Sequence, residues 1–194
     1  MELIKSASNS QDEILQGIIK LHCPKGFDLD PTYSKGNFYK TIPQPTWKVD
    51  LLPQSDDVME CDCRSLPFEN YELASVIFDP PFMFGAHGQT KNNIMNKRFT
   101  MFDSWAELES MYKASLKEFY RILKPRGILV FKCQDYTDSV TTLTHCLVYQ
   151  WAKELGFQEV DLFIQVATSG RIYNPSLVQR HSRKFHCYWF VLRK

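Results

Sequence analysis

The chain has 194 residues, of which 44% are hydrophobic and 23% charged, and its formal net charge is +1. These are the proportions of an ordinary soluble globular protein, long enough for one domain with a substantial core. No apolar run approaches the length of a membrane span, and "MELIKSASNSQDE" lacks the basic-then-apolar order of a signal peptide, so an intracellular, cytoplasmic protein without a membrane partner is expected. In a reducing compartment the six cysteines are not expected to form a disulfide framework, and no CxxC pair marks a zinc site. The run "HSRKFHC" offers His181, His186 and Cys187 but no evident fourth ligand, so no metal is expected.

Ser10 and Glu13 have the spacing of a capping box and stand before Ile14, Leu15, Ile18 and Ile19, predicting a helix over 11–22. Short strands are predicted at 26–30, 47–52 and 58–62, followed by a buried, β-branched strand at 74–79. Segment 83–102 has three asparagines, two glycines and no period, and a loop of that length is usually functional or disordered. A long amphipathic helix then begins after Asp103 or Ser104 and stops at Pro125 and Gly127. A buried strand "ILVFKCQD", a helix over 140–155 ended by Gly156, and strands "FQEVDLFIQVA" and "KFHCYWFVLRK" complete the chain.

Alternation of this kind predicts a doubly wound α/β fold with a mostly parallel sheet. The last two strands lack a helix-length crossover, so one of them should run antiparallel. The first strands each close on an acid: Asp30, Asp50, Asp62 and Asp79. One such aspartate would mean little, because Asp favours turns. Four at consecutive strand ends would line the carboxyl edge of the sheet, where α/β folds bind ligands. At the last of them Asp79 is followed by Pro80, Pro81 and Phe82, and two prolines cannot continue a ladder. That tetrad ends its strand with a carboxylate, a stiff backbone and an aromatic ring at the same edge.

These residues resemble the S-adenosylmethionine-dependent amino-methyltransferases that methylate adenine or cytosine, whose tetrad reads D/N/S-P-P-Y/F/W. "DCRSLPF" from Asp62 and "RILKPRGILVFK" (121–132) are similar to further segments of that class, and the match in order covers 26 to the C-terminus. The resemblance implies a Rossmann-like methyltransferase, with a mostly parallel seven-stranded sheet, one antiparallel strand and helices on both faces. It implies one methyltransferase domain over 1–194, with its N-terminal helix at 11–22 and its core from 26 onward. The cofactor it implies is S-adenosylmethionine, held by Asp28, Asp30, Pro31, Thr32, Ser34, Lys35, Gly36, Asp50 and Asp62. In that arrangement the loop 30–36 would offer backbone N–H groups and Lys35 to the amino-acid end of the cofactor. Asp50 would take the ribose hydroxyls and Asp62 the adenine amine. The loop has one glycine where such enzymes often have two, so an ordinary surface turn is a competing reading.

Catalysis by this resemblance rests on Asp79, Pro80, Pro81 and Phe82. The Asp79 carboxylate and the Pro80 carbonyl would accept both N–H groups of an exocyclic amine, and Phe82 would stack on the base. Lys91, Lys97, Arg98, Arg180 and Arg183 are candidate substrate contacts, with Arg171, Lys184, His181 and Tyr173 in the same basic segment. The expected activity is methyl transfer to adenine N6 of DNA, with cytosine as the second base. RNA adenine, or a glutamine or lysine nitrogen of a protein, are the alternatives, and a silent partner-binding subunit is a third. A homo-oligomer or a specificity partner is compatible with so short a chain.

Overall fold

The computed structural model describes residues 3–84, 102–137, 140–168, 178, 180–182 and 184–194. Ser10 caps the first helix, α1 (Gln11–His22), by accepting a hydrogen bond from the Glu13 N–H, while Glu13 reaches back to Ser8. The Ser10 cap therefore sets its start where the sequence predicts, while the Ser10 N–H is satisfied by Ser8 Oγ at 3.0 Å rather than by Glu13. Ser104 caps α2 (Trp105–Ile122) through the Glu107 N–H. That helix ends earlier than Pro125, because Leu123 already pairs with Leu73 in the sheet.

The strands are β1 (Ala7–Ser8), β2 (Leu29–Asp30), β3 (Trp47–Asp50), β4 (Met59–Glu60), β5 (Leu73–Phe78), β6 (Leu123–Cys133), β7 (Tyr136–Thr137), β8 (Thr141–Thr142), β9 (Gln158–Val166) and β10 (His186–Arg193). Eight form one sheet in the order β1-β9-β10-β6-β5-β2-β3-β4. β2 to β6 are mutually parallel, and β10 runs antiparallel to both β6 and β9. The expected α/β sheet with one antiparallel strand is thus present, with an eighth strand beyond the expected seven. That strand is β1, whose two residues pair with Ile164 and Gln165 at the sheet edge.

Both faces of the central strands are buried, with side chains alternating between them. Val76 and Phe78 of β5, Leu129 and Phe131 of β6, and Phe190 and Leu192 of β10 pack with α2 and with α3 (Thr144–Leu155). Ile77, Val130, Trp189 and Val191 face α1 and the aromatic pair Phe38–Tyr39 on the other side. Helices therefore cover both faces, as expected. The helix predicted over 140–155 begins only at Thr144, because Thr141 and Thr142 pair with Tyr136 and Thr137 in a small hairpin. Its end is the expected one: Gly156 adopts φ 103°, a left-handed conformation that closes the helix with little strain. Among the described residues no helix is long and apolar enough to cross a membrane.

Candidate functional site

The carboxyl ends of β2, β3 and β5, with the loops that follow them and β4, open onto one cavity of about 940 Å³. Asp30, Asp50, Asp62 and Asp79 all line it, as do Pro80, Pro81 and Phe82. Four acids distant in sequence meet there because parallel strands present their carboxyl ends on one edge.

Asp30 is 2% exposed, and its carboxylate is fully engaged. Oδ1 accepts from the Thr32 N–H (2.9 Å) and hydroxyl (3.1 Å), and Oδ2 accepts from the Tyr39 hydroxyl (2.7 Å). The Thr32 oxygen in turn accepts from the Asp79 N–H at 2.9 Å. A continuous chain of hydrogen bonds therefore runs from Tyr39 through Asp30 and Thr32 to the tetrad. Burial pushes the Asp30 carboxyl up to about 7, against the opposing pull of its Tyr39 and Thr32 hydrogen bonds.

That shift has a sign that can be measured. Between pH 4 and 7 the unfolded chain gives up the Asp30 proton while the folded chain keeps it, so Asp30 contributes a loss of stability that grows across this window and is constant above it. Asp30→Asn retains a carbonyl for Thr32 and carries no charge. Thermal unfolding of both proteins should show the variant gaining on the parent between pH 4 and 7.5, by at most about 4 kcal/mol. A gap that does not change with pH would contradict the assignment.

Asp50 accepts the Ser34 N–H through Oδ2 (2.8 Å) and the Leu52 N–H through Oδ1 (2.9 Å), so it fixes the loop after β2 to the end of β3. Pro31, Thr32 and Ser34 line the cavity, and Ser34 sits at φ 52°. The other two residues expected to serve the cofactor from this loop lie away from the cavity wall. Lys35 is exposed and Gly36 lies behind the turn, and neither lines the cavity. Gly36 has φ 65°, and a Cβ there would come within 2.6 Å of the Tyr33 ring, so the glycine serves the packing of Tyr33 on Tyr39. Asp28 is likewise outside the cavity: its carboxylate accepts the Ala74 N–H at 2.6 Å and ties β2 to β5.

Asp62 reaches the cavity with its carboxylate already engaged. Arg64 donates to it through its backbone N–H, through Nε to both oxygens, and through a terminal nitrogen at 2.5 Å, and this pairing lowers the Asp62 carboxyl below its ordinary range.

Asp79 is paired with a residue that the sequence did not single out. Lys132 of β6 donates to Asp79 Oδ2 at 3.2 Å and stands 3.5 Å from the Gln11 amide oxygen. Alternation along β6 places Lys132 on the α1 face, where its ammonium lies 4.7 Å from the ring centre of Trp189, 5.1 Å from Phe38 and 5.6 Å from Phe82. Burial raises the Asp79 carboxyl, and Lys132 pulls it back down. A quarter (25%) of the Asp79 side chain remains open, which makes the burial penalty partial. Asp79 Oδ1 is enclosed and has no hydrogen-bond partner among the described residues. Tyr112 holds the next turn of the tetrad by donating to the Pro81 carbonyl at 2.7 Å.

Gln11 and Asp12 of α1, Arg64, Lys132 and Gln134 complete a wall that sequence reasoning missed. Gln134 also donates to the Lys184 carbonyl at 3.2 Å, which brings Lys184 to this edge. Arg180 is exposed and does not line the cavity. Lys91, Lys97, Arg98 and Arg183 lie outside the described residues. His186 bonds with the Tyr188 hydroxyl, and no cluster of metal-ligating side chains occurs among the described residues.

No family model matches the chain, and no curated protein matches it. Solved structures do. A SAM-dependent methyltransferase of Thermotoga maritima is 15% identical with a TM-score of 0.51, over 93% of this chain and 87% of that one. The 1,6-didemethyltoxoflavin-N1-methyltransferase of Burkholderia thailandensis, solved with S-adenosylhomocysteine, is 14% identical with a TM-score of 0.52, over 95% and 76%. A candidate DNA modification methylase of Thermus thermophilus is 19% identical with a TM-score of 0.48, over 69% of this chain and 53% of that one. The chain thus spans about half the length of that methylase. The chain has the Rossmann-like fold of the S-adenosylmethionine-dependent methyltransferases.

Proposed function

We propose that this chain is an S-adenosylmethionine-dependent methyltransferase acting on the exocyclic amine of a nucleobase, with adenine N6 of DNA as the first choice and RNA adenine next. The observation that carries the reading is the convergence of four strand-end acids and the Asp79–Phe82 tetrad on one cavity of about 940 Å³. That volume lies near the upper end of the roughly 300–1,000 Å³ of small-molecule sites, enough for a methyl donor and an inserted base together.

The residues present suit such a donor. Asp50 uses one lone pair on each oxygen for the backbone and keeps another for ribose hydroxyls. Thr32 and Ser34 edge the part of the cavity that would take the amino-acid end. The Asp62–Arg64 pair, rather than a free carboxylate, would border the adenine end. When bound, the donor supplies an electron-poor methyl carbon.

The remaining chemistry falls to the chain itself. An aromatic amine is a weak nucleophile because its lone pair is delocalised into the ring. Accepting both of its N–H groups, one on Asp79 and one on the Pro80 carbonyl, draws the nitrogen toward tetrahedral geometry and frees the pair. Asp79 lines the cavity with a quarter (25%) of its side chain open, and that open edge is where a substrate N–H would be accepted. Lys132 favours the ionised carboxylate against the burial that opposes it, and Tyr112 and Thr32 hold the backbone on either side of it. Phe82 provides a stacking face, worth about 1–3 kcal/mol per base in single-strand binders. The proton departs after attack, so no strong base is needed.

Transfer of labelled methyl from S-adenosylmethionine to pools of DNA, RNA and protein tests the proposal. Label is expected in DNA, recovered as methylated adenine after hydrolysis. Label confined to protein and untouched by nuclease would overturn the nucleobase reading.

A further inference from the structure

Immediately beyond β6 a second constellation lies outside the cavity. Asp135 is 6% exposed, and its Oδ1 accepts the His145 backbone N–H at 3.2 Å and stands 2.7 Å from His145 Nδ1. An ionised carboxylate only accepts, so this contact puts the ring proton on Nδ1 and leaves the Nε2 lone pair outward. Nε2 meets the Cys146 sulfur at 3.3 Å. The ring is stacked on Tyr188, with centroids 4.1 Å apart and planes 20° from parallel, which fixes its orientation. Among the described residues Cys146 is the one exposed cysteine. Burial raises the thiols of Cys23, Cys61, Cys63 and Cys133, so those sulfurs are poor nucleophiles at neutral pH.

We infer that Cys146 is a nucleophilic thiol, served by His145 as base and by Asp135 as the group that orients that base, and that it takes low-molecular-weight disulfides as covalent ligands. The order carboxylate, imidazole, sulfur is that by which cysteine nucleophiles are activated, and the thiol is open to reagents. His145 Nε2 takes the Cys146 proton while the sulfur attacks one sulfur of the disulfide. A new S–S bond forms to Cys146, the old one breaks, and the departing thiolate takes the proton from His145. The products are one protein mixed disulfide and one free thiol, so atoms and electrons balance without a further oxidant. The methyl-transfer proposal is not needed for this step, and no residue of the cavity takes part in it.

The test is the rate of mixed-disulfide formation with oxidised glutathione at pH 7, read by peptide mass on the full chain. Cys146 is expected to react first and faster than the free thiol of N-acetylcysteinamide under the same conditions. His145→Gln and Asp135→Asn should each slow Cys146 by about tenfold or more, with the fold checked by circular dichroism. A Cys146 rate no higher than that of the free thiol overturns the proposal, whether or not the variants fold. Folded variants that react as fast as the parent overturn it too.

Discussion

Asp79→Asn is expected to lower the single-turnover rate of methyl transfer by about 10²–10³-fold, the range seen when one preorganised electrostatic contact to a transition state is removed. The substitution keeps the shape of the side chain and changes its hydrogen-bonding character. An amide presents one acceptor and one donor, and the donor would face either Lys132 or an N–H of the substrate, neither of which can accept it. The cavity wall is unaltered, and the backbone contacts of the tetrad do not use the carboxylate: Thr32 accepts the Asp79 N–H and Tyr112 donates to the Pro81 carbonyl. Affinity for the methyl donor, measured by calorimetry, should therefore change little. A variant that binds the donor and still transfers methyl at near the parent rate would show that Asp79 does not hold the reacting amine. A variant that no longer binds the donor would place Asp79 in the donor's own site instead.

The sequence was most informative where one local rule dominates. Ser10 and Ser104 cap helices through side-chain oxygens, and Gly156 ends α3 in a left-handed conformation, all of them local signals. Strand-ending acids were legible because the parallel topology maps consecutive strand ends onto one edge. What could not be read depends on tertiary partners. β1 is two residues with no pattern, formed because β9 offers an open edge. Thr141 and Thr142 leave the predicted helix because a hairpin partner stands across from them. Asp28 and Asp30 are two residues apart on one strand and look equivalent, yet one ties β2 to the Ala74 N–H while the other is buried beneath the loop. Gly36 looks like a cofactor glycine, but its freedom is spent on Tyr33.

Lys132 was the largest omission, and there was a signal for it. In "ILVFKC" it is the lone charge within an otherwise apolar run, on a strand buried on both faces. Such a residue is rarely buried without a partner. Period-two alternation assigns it to the face of Val130 rather than that of Phe131, and Asp79 ends the adjacent parallel strand. A buried cation beside the last acid of the edge was therefore deducible in outline. Its aromatic surround, drawn from three separate segments, was not.

Lys132→Met is expected to move the pH dependence of methyl transfer rather than merely lower the rate. In the parent protein burial raises the Asp79 carboxyl and the Lys132 ammonium opposes that rise. Without the ammonium the carboxylate has lost this ion-pair partner, so a larger share of Asp79 is protonated at neutral pH and cannot accept from the substrate. A neighbouring cation at this distance changes a carboxyl equilibrium by about 10- to 1,000-fold, and the partial exposure of Asp79 places the effect toward the lower end. The acid limb of the rate profile should therefore shift to higher pH in the variant, with the deficit against the parent largest on the acid side. The deficit should shrink as pH rises, because hydroxide then removes the proton that Lys132 had kept off. Methionine preserves the apolar stem among Phe38, Phe82 and Trp189, so lost packing is not the cause. A profile lowered equally at every pH between 5 and 9 would assign Lys132 to substrate contact and not to the ionisation of Asp79.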